Sequence, residues 1–389
     1  KMDADLELGC SEIISEMRGR VEKPETTYAA CEAALVRKDG YLPAMMKFAK
    51  AYKEDSYHFR YLFKGFENYE LSTQILIKEA ITRGLKVEEL DPQDNFISVT
   101  GKDGTGQLIK QATKTQADNY ASVLAMENKV VTKKILAQHG IPVPDGAEFT
   151  SMDAARARVS LYANRPVVIK PKSTNYGTGI FIFEHGASEK DLLDAAEGAF
   201  KYDDTILIEE YLPGPEYRFL TIGGKTAAVM RRVAANVTGD GSSTIRELME
   251  KKNDHPFRGN HYETPLENLR VDQQTVLYLK GQGLTPESVP EDGETVYLRG
   301  NSNISTGGDS VDVTDEMPDY FKKIAEEAAD AIGAVFCGVD MIIEDYTNTQ
   351  SVYGIIELNF NPATHMHAYP YKGKERRTGE YILRALKLI

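Results

Sequence analysis

No stretch of this 389-residue chain approaches the ~18 consecutive apolar residues that cross a bilayer, and no signal-peptide pattern opens it. A membrane role is therefore not expected. Cysteine is scarce: Cys10, Cys31 and Cys337 are far apart and odd in number. They outline neither a disulfide framework nor a metal cluster, read as inert, and fit a reducing, cytoplasmic setting. Positive charge is in deficit, with 46 Lys and Arg against 59 Asp and Glu, a net charge of −13. Without a concentrated basic patch that balance argues against nucleic acid as a partner. Any anion must be held by locally placed Lys, Arg and backbone N–H groups. Also missing are a Walker A loop, a dinucleotide fingerprint, internal repeats, and zinc-ligand spacing around His365 and His367. The first residue is Lys1 rather than Met, so the chain reads as a segment of something longer.

What is present alternates between helical and strand periodicity. Residues 1–64 read as helix, with apolar positions at Leu6, Ile13, Ile14, Met17 and Val21 and a helix-start proline at Pro43. From about residue 65 the pattern mixes. "ELSTQILIKEAITRG" predicts an amphipathic helix, "NFISV" and "QLIKQAT" a hairpin, and "NKVVTKKILAQHG" a helix capped by Asn128 and stopped by Gly140. Ser151 and Ser188 cap two further helices, the second with Asp191 in capping-box spacing. "EYRFLTIGGKTAAVMRRVAA" predicts a hairpin about Gly223-Gly224, and residues 253–295 an irregular insertion. Alternation of this kind argues α/β or α+β architecture in more than one lobe.

Six stretches carry chemistry. In "YGIIELNFNPATHMH" an apolar strand delivers Glu357, Asn359 and Asn361 at alternate positions, hence on one face. A hard cation would use those oxygens; a solvated edge strand would also show them. "CGVDMIIED" puts Asp340 inside an apolar strand, where a carboxylate needs a partner or a metal. In "VVIKPKSTNYGTGIFIF" Lys170 ends an apolar run, and Gly177 and Gly179 let backbone N–H groups approach an anion, or merely turn a hairpin. "ILIEEYLPGPEYRF" bends at Pro213-Gly214-Pro215, a hinge where Glu210 to Leu212 offer backbone groups to an adenine edge and Glu216 a carboxylate to ribose, or a plain connector. Arg231, Arg232 and Arg299 come from two further stretches, the second of which holds "STGG", Ser305 to Gly308, an anion nest or a polar turn.

The order of these stretches resembles the ATP-grasp superfamily. Over about residues 65–389, "ENKVVTKKILAQHGIPVP", "VVIKPKSTNYGTGI", "RGNSNISTGGDSVDVTDE" and "IIELNFNPATHMH" are similar to the C-terminal synthetase module of the bifunctional glutathione synthetases; cyanophycin synthetases share the same motifs. The resemblance implies an α+β ATP-grasp fold, two lobes clasping ATP. Its expected parts are a helical ligase tail over 1–64, an α/β subdomain over 65–128, a small lobe over 129–212 and a large lobe over 213–389. It implies ATP phosphates on Lys129 and Lys170 under a loop from Ser173 to Gly179, and adenine beside Glu209, Glu210, Tyr211 and Leu212 with ribose on Glu216. Two Mg²⁺, or Mn²⁺, would sit on Asp340, Glu357 and Asn359. Substrate would meet Arg218, Ser305, Thr306, Asn361 and His367. D-alanine ligases place an arginine two residues before the metal Asp; that position is Gly338 here, so Arg232 or Arg299, with Arg218 as a third choice, must stabilise the transferring phosphoryl. The implied reaction joins γ-glutamylcysteine to glycine through an acyl phosphate. A glutamate–cysteine ligase domain, fused or separate, is the implied partner, and a homodimer is compatible with the sequence. Other carboxylate–amine ligation and a non-catalytic ATP-binding module are the alternatives.

Overall fold

The structure is a computed structural model; it describes residues 61, 63, 65–173 and 179–389. The helical reading of 1–64 and the Gly177 part of the glycine-rich loop lie outside those residues.

The chain opens with helix α1 (Leu71–Thr82) and strands β1 (Lys86–Asp91), β2 (Phe96–Thr100), β3 (Gly106–Lys110) and β4 (Lys114–Thr115), an antiparallel meander in sequence order. Helices α2 (Tyr120–Glu127) and α3 (Lys129–Gln138) follow. Asn128 caps α3 as its sequence predicts, its side chain accepting from the N–H groups of Val130 and Val131. Strand β5 (Gly146–Phe149), helix α4 (Met152–Arg158), strands β6 (Val167–Pro171) and β7 (Phe181–Phe183), helix α5 (Glu189–Phe200) and strand β8 (Ile206–Glu210) make a second sheet, ordered β5-β8-β6-β7. Ser151 and Ser188 cap α4 and α5.

The largest sheet begins with β9 (Glu216–Ile222) and β10 (Lys225–Val233), a hairpin turned by Gly223 and Gly224, both at positive φ. Then come β11 (Asn236–Thr238), α6 (Ile245–Asn253), β12 (Arg258–Gly259), β13 (Leu266–Glu267), α7 (Gln273–Gly281) and β14 (Thr295–Tyr297). Strand β15 (Asp309–Asp312), helix α8 (Asp319–Ile332), strands β16 (Phe336–Ile343) and β17 (Tyr353–Asn359), and helices α9 (His365–Ala368) and α10 (Thr378–Ala385) finish the chain. The sheet order is β15-β10-β9-β16-β17. This puts "CGVDMIIED" and "YGIIELN" side by side and the Arg218 strand against them.

Residues 253–295 are mostly turns and loops, as their composition suggests, but they carry β12, β13 and α7 and are tied to a core of their own. Asp272 caps α7, and Ile245, Leu248, Met249, Leu269, Leu279, Val296 and Leu298 build a separate small core. Only the α6 residues fall within one periodic window; the rest join the cluster from α7, β14 and the segments between, which local periodicity does not reveal. The first meander shares its core with the large sheet through Leu220, Ile222, Ala228 and Phe336. Helix α3 packs on the large sheet as well, with Leu136 clustered beside Val339, Ile355 and Leu358. No helix among the described residues is long and apolar enough to cross a membrane.

Candidate active site

The opening carboxylates meet across a strand pair. Asp340 on β16 is the register partner of Glu357 on β17, and also of Arg218 on β9. Directly opposed side chains lie on the same face, so acid, acid and guanidinium face one way. Asp340 is 1% exposed and accepts from Arg218 through both oxygens: Nε to Oδ1, and Nη2 to Oδ2 at 2.6 Å. Arg232 Nη1 approaches Oδ2 at 3.5 Å and Asn359 Nδ2 donates to it at 3.3 Å. Burial disfavours the Arg218 charge, but Asp340 beside it reverses the balance and raises its pKa. Gly338 explains how Arg218 fits: a Cβ built there would lie 3.1 Å from Arg218 Cδ. The guanidinium that the D-alanine-ligase pattern would supply from position 338 arrives from the neighbouring strand and lies over a glycine.

Arg232 also donates to Glu216 Oε1 at 2.6 Å and to Asn303 Oδ1; Ser302 donates to the other Glu216 oxygen. The structure thus gathers Arg218, Arg232, Glu216, Asp340 and Asn359 into one network. Glu216, expected at ribose, has both carboxylate oxygens engaged there. Arg299 stands apart from this network, donating to Gln274 at 2.8 Å and to Asp272 at 2.5 Å on the insertion.

Helix α3 supplies lysines to the other side. Lys129 Nζ lies 3.3 Å from Glu357 Oε1. One turn on, Lys133 pairs with Glu209 Oε1, whose Oε2 receives Lys170 at 2.8 Å. A groove between α3 and β17, lined by Met126, Lys129, Thr132, Lys133, Leu136 and Glu357, runs beside these pairs. Burial and then Lys170 push the Lys133 ammonium down to about 8. Burial acts against the Glu209 charge, but Lys170 and Lys133 together outweigh it and lower the pKa. Lys133 was not singled out by sequence reading, although Lys129 and Lys133 at i and i+4 share one helix face and that spacing was the available signal.

The remaining candidates divide. Among the hinge backbone groups, the N–H of Glu210 donates to Asp145 O and that of Tyr211 to Pro166 O, so both are engaged already. Ser173 N donates to Asp203 Oδ2 at 2.6 Å, and Gly179 has a φ of 74° with Pro171 and Tyr202 packed where a Cβ would stand. The "STGG" loop is a self-bonded turn and not an anion nest. The N–H groups of Thr306, Gly307 and Gly308 all close on the carbonyls of Asn303 and Ile304, and Thr306 Oγ1 donates to Asn301 Oδ1. Ser305 Oγ is buried with no hydrogen-bond partner. Asn361 accepts from Thr113 Oγ1 at 2.9 Å and lies 3.4 Å from Gln111 Oε1, a brace from the first meander that nothing in the linear sequence signals. His367 is buried with both ring nitrogens unpartnered. Cys337 is buried, which pushes its thiol up to about 12 and leaves it inert as expected.

Oxygen donors for a cation are present in modest number. Among the described residues no three His, Cys, Asp or Glu side chains converge. Two carboxylates with an adjacent amide do, and Mg²⁺ is commonly held by one or two carboxylates plus substrate phosphates. Asp340, Glu357 and Asn359 fit that pattern, with Glu357 the more open donor at 30% side-chain exposure.

Comparison with known proteins agrees with this geometry. A family model described as an ATP-grasp-like domain matches residues 67–121, and one described as a RimK-like ATP-grasp domain matches residues 126–245. The chain is 48% identical over 371 residues to the glutathione biosynthesis bifunctional protein GshAB of Listeria innocua, covering 95% of this chain and 48% of that protein. It is 44% identical over 373 residues to the protein of the same name from Clostridium perfringens, again covering 95% of this chain and 48% of the relative. A crystal structure of a bifunctional glutathione synthetase from Pasteurella multocida superposes with a TM-score of 0.70 at 45% identity, over 88% of this chain and 47% of that one. The chain spans about half the length of the curated relatives it matches. The chain thus carries ATP-grasp domain matches over residues 67–121 and 126–245, and its fold is the ATP-grasp fold.

Proposed function

We propose that this chain is an ATP-dependent carboxylate–amine ligase that joins γ-glutamylcysteine to glycine, giving glutathione, ADP and phosphate. The observation that carries the reading is the charge arrangement where α3 meets the two sheets that hold β8 and β17. Lys129, Lys133, Lys170, Arg218 and Arg232 converge with Glu209, Glu216, Asp340 and Glu357. A chain of net charge −13 thus concentrates five cations against four carboxylates where a polyphosphate would have to lie. The similarity to relatives named for glutathione biosynthesis supports the choice of substrates.

A carboxylate is a poor electrophile. In the proposed reaction its oxygen attacks the γ-phosphorus of ATP and ADP leaves. The amine nitrogen then attacks the acyl carbon, phosphate departs, the amine gives up a proton, and an amide remains. Lys129 and Lys170 are assigned to the phosphates. Arg232, with Arg218 behind Asp340, is assigned to the charge spread over the transferring phosphoryl oxygens. Asp340, Glu357 and Asn359 would hold Mg²⁺, which when bound supplies charge neutralisation on those oxygens; two ions are the expectation. Asn361 and His367 are assigned to substrate, with the Asn361 amide held in place by Thr113. A glutamate–cysteine ligase domain, fused or separate, is the proposed partner.

ADP release tests the reading, with ATP and Mg²⁺ present and γ-glutamylcysteine and glycine added singly and together. Release that needs both, with glutathione as product, is the expected result. Release with neither substrate, or only with peptide polymers as acceptors, overturns it.

A further inference from the structure

Glu209 has more counter-ions than it needs. It is 4% exposed on β8 and receives two ammonium groups, Lys133 on one carboxylate oxygen and Lys170 on the other at 2.8 Å. A single lysine satisfies the charge of a buried carboxylate, and a carboxylate left with none is strongly destabilising. The proposed reaction, on which this inference rests, draws Lys170 toward a nucleotide phosphate. Were Lys170 the sole partner, that movement would strand Glu209 in the interior. Among the described residues, Glu209 is the one acid that Lys133 pairs with. Its position is fixed by α3, whose Lys129 reaches Glu357 on the five-stranded sheet while Lys133 reaches Glu209 on the four-stranded one. One helix face therefore spans both sheets at the groove.

We propose that Lys133 is a positioning residue, the standing counter-ion of Glu209, which keeps that carboxylate in place and frees Lys170 to engage a phosphate of the bound nucleotide. In the nucleotide-free arrangement the two ammonium groups share one acid; burial first, and then the Lys170 charge, push the Lys133 ammonium down. A phosphate that takes Lys170 relieves the repulsion and leaves a one-to-one pair behind.

The test is a double-mutant cycle on nucleotide binding with wild type, Lys133→Met, Glu209→Gln and the double variant. Calorimetry measures the dissociation constant of a non-hydrolysable ATP analogue with Mg²⁺, and each thermal midpoint is recorded without nucleotide. Lys133→Met is expected to weaken the analogue by about tenfold or more when Glu209 is present, and by less than about threefold in the Glu209→Gln background, where no buried charge needs a partner. Lys133→Arg is expected to bind within about threefold of wild type, because a fixed charge replaces the ammonium. Should Lys133→Met fail to fold, Lys133→Gln and the double variant give the same comparison. Equal weakening in both backgrounds overturns the proposal, because Lys133 would then act on the nucleotide directly. A lowered midpoint with unchanged affinity also overturns it, as that is a purely structural ion pair. A wild-type chain that binds no analogue sinks the ATP reading itself, an outcome distinct from either.

Discussion

Acidifying the protein from pH 7 to pH 5 should cost it stability through one imidazole. His367 is 2% exposed, and neither Nδ1 nor Nε2 has a hydrogen-bond partner. Burial, then the Arg218 charge, then His365 push it down to about 3 from the ordinary value of 6.5. The sign follows from linkage: between those two values the unfolded chain binds a proton that the native chain refuses. The stability that His367 contributes is therefore complete above pH 6.5 and drains away as pH falls toward 3. Each pH unit in that window is worth about 1.4 kcal/mol, so about 2 kcal/mol is lost by pH 5 and about 5 kcal/mol over the whole window. His365 donates to or accepts from Ser72 at 3.2 Å and burial pushes it down to about 4; it keeps part of its surface and adds less. Urea titrations followed by circular dichroism at pH 7 and pH 5 measure the loss, and His367→Asn isolates it from carboxylates that also titrate. Wild type should lose about 2 kcal/mol more than the variant. Equal losses in the two chains would refute the argument, as would an imidazole NMR titration of His367 near 6.5.

Arginine substitutions separate the two candidates for the transferring phosphoryl. Arg232→Met should lower kcat by about a hundredfold or more in the ADP-release assay, while Arg299→Met, whose guanidinium serves Asp272 and Gln274, should stay within about fivefold; the reverse order would reassign the role. Asp340→Asn removes the anion that Arg218 and Arg232 share, and should cost about 3–5 kcal/mol in denaturant titration as well as activity. Gly214 has a φ of 111°, and a Cβ would lie 2.5 Å from Glu344 Cα; Gly214→Ala should lower stability by about 2 kcal/mol or more, visible as a lower thermal midpoint. Chelation of Mg²⁺ should abolish ADP release, and added Mg²⁺ should restore it.

Local rules carried a large part of the fold. Capping residues at 128, 151 and 188, and the Gly223-Gly224 turn, act within four residues of themselves, so the linear sequence is enough to read them. The carboxylates were legible for a similar reason: strand alternation puts Glu357 and Asn359 on one face whatever lies beside them. What escaped is whatever depends on strand order or on distant partners. The turn at Ser305 to Gly308 has the composition of a nest, but its N–H groups are consumed by Asn303 and Ile304. Composition cannot say which acceptor wins. Thr113 and Asn361 are 248 residues apart and touch only because the meander packs against the end of β17. Lys133, unlike its neighbour Lys134, shares a helix face with Lys129, but which acid it meets depends on the placement of β8.

At Gly338 the arginine of the D-alanine-ligase pattern is absent, yet a guanidinium still stands on Asp340. On β16 the residue two before Asp340 points to the same face, so an arginine there would lie beside the acid. Arg218 reaches the same place by another route, since it stands opposite Asp340 on the adjacent strand and its stem crosses Gly338. Only one of the two arrangements can exist at a time, because a side chain at 338 occupies the space Arg218 needs; glycine there is the condition for the cross-strand cation, not a loss. What this chain has is a guanidinium with bidentate geometry on a 1%-exposed carboxylate. A search for the missing arginine along one strand finds nothing, whereas a search across the sheet face finds it one strand away, and the glycine marks where to look.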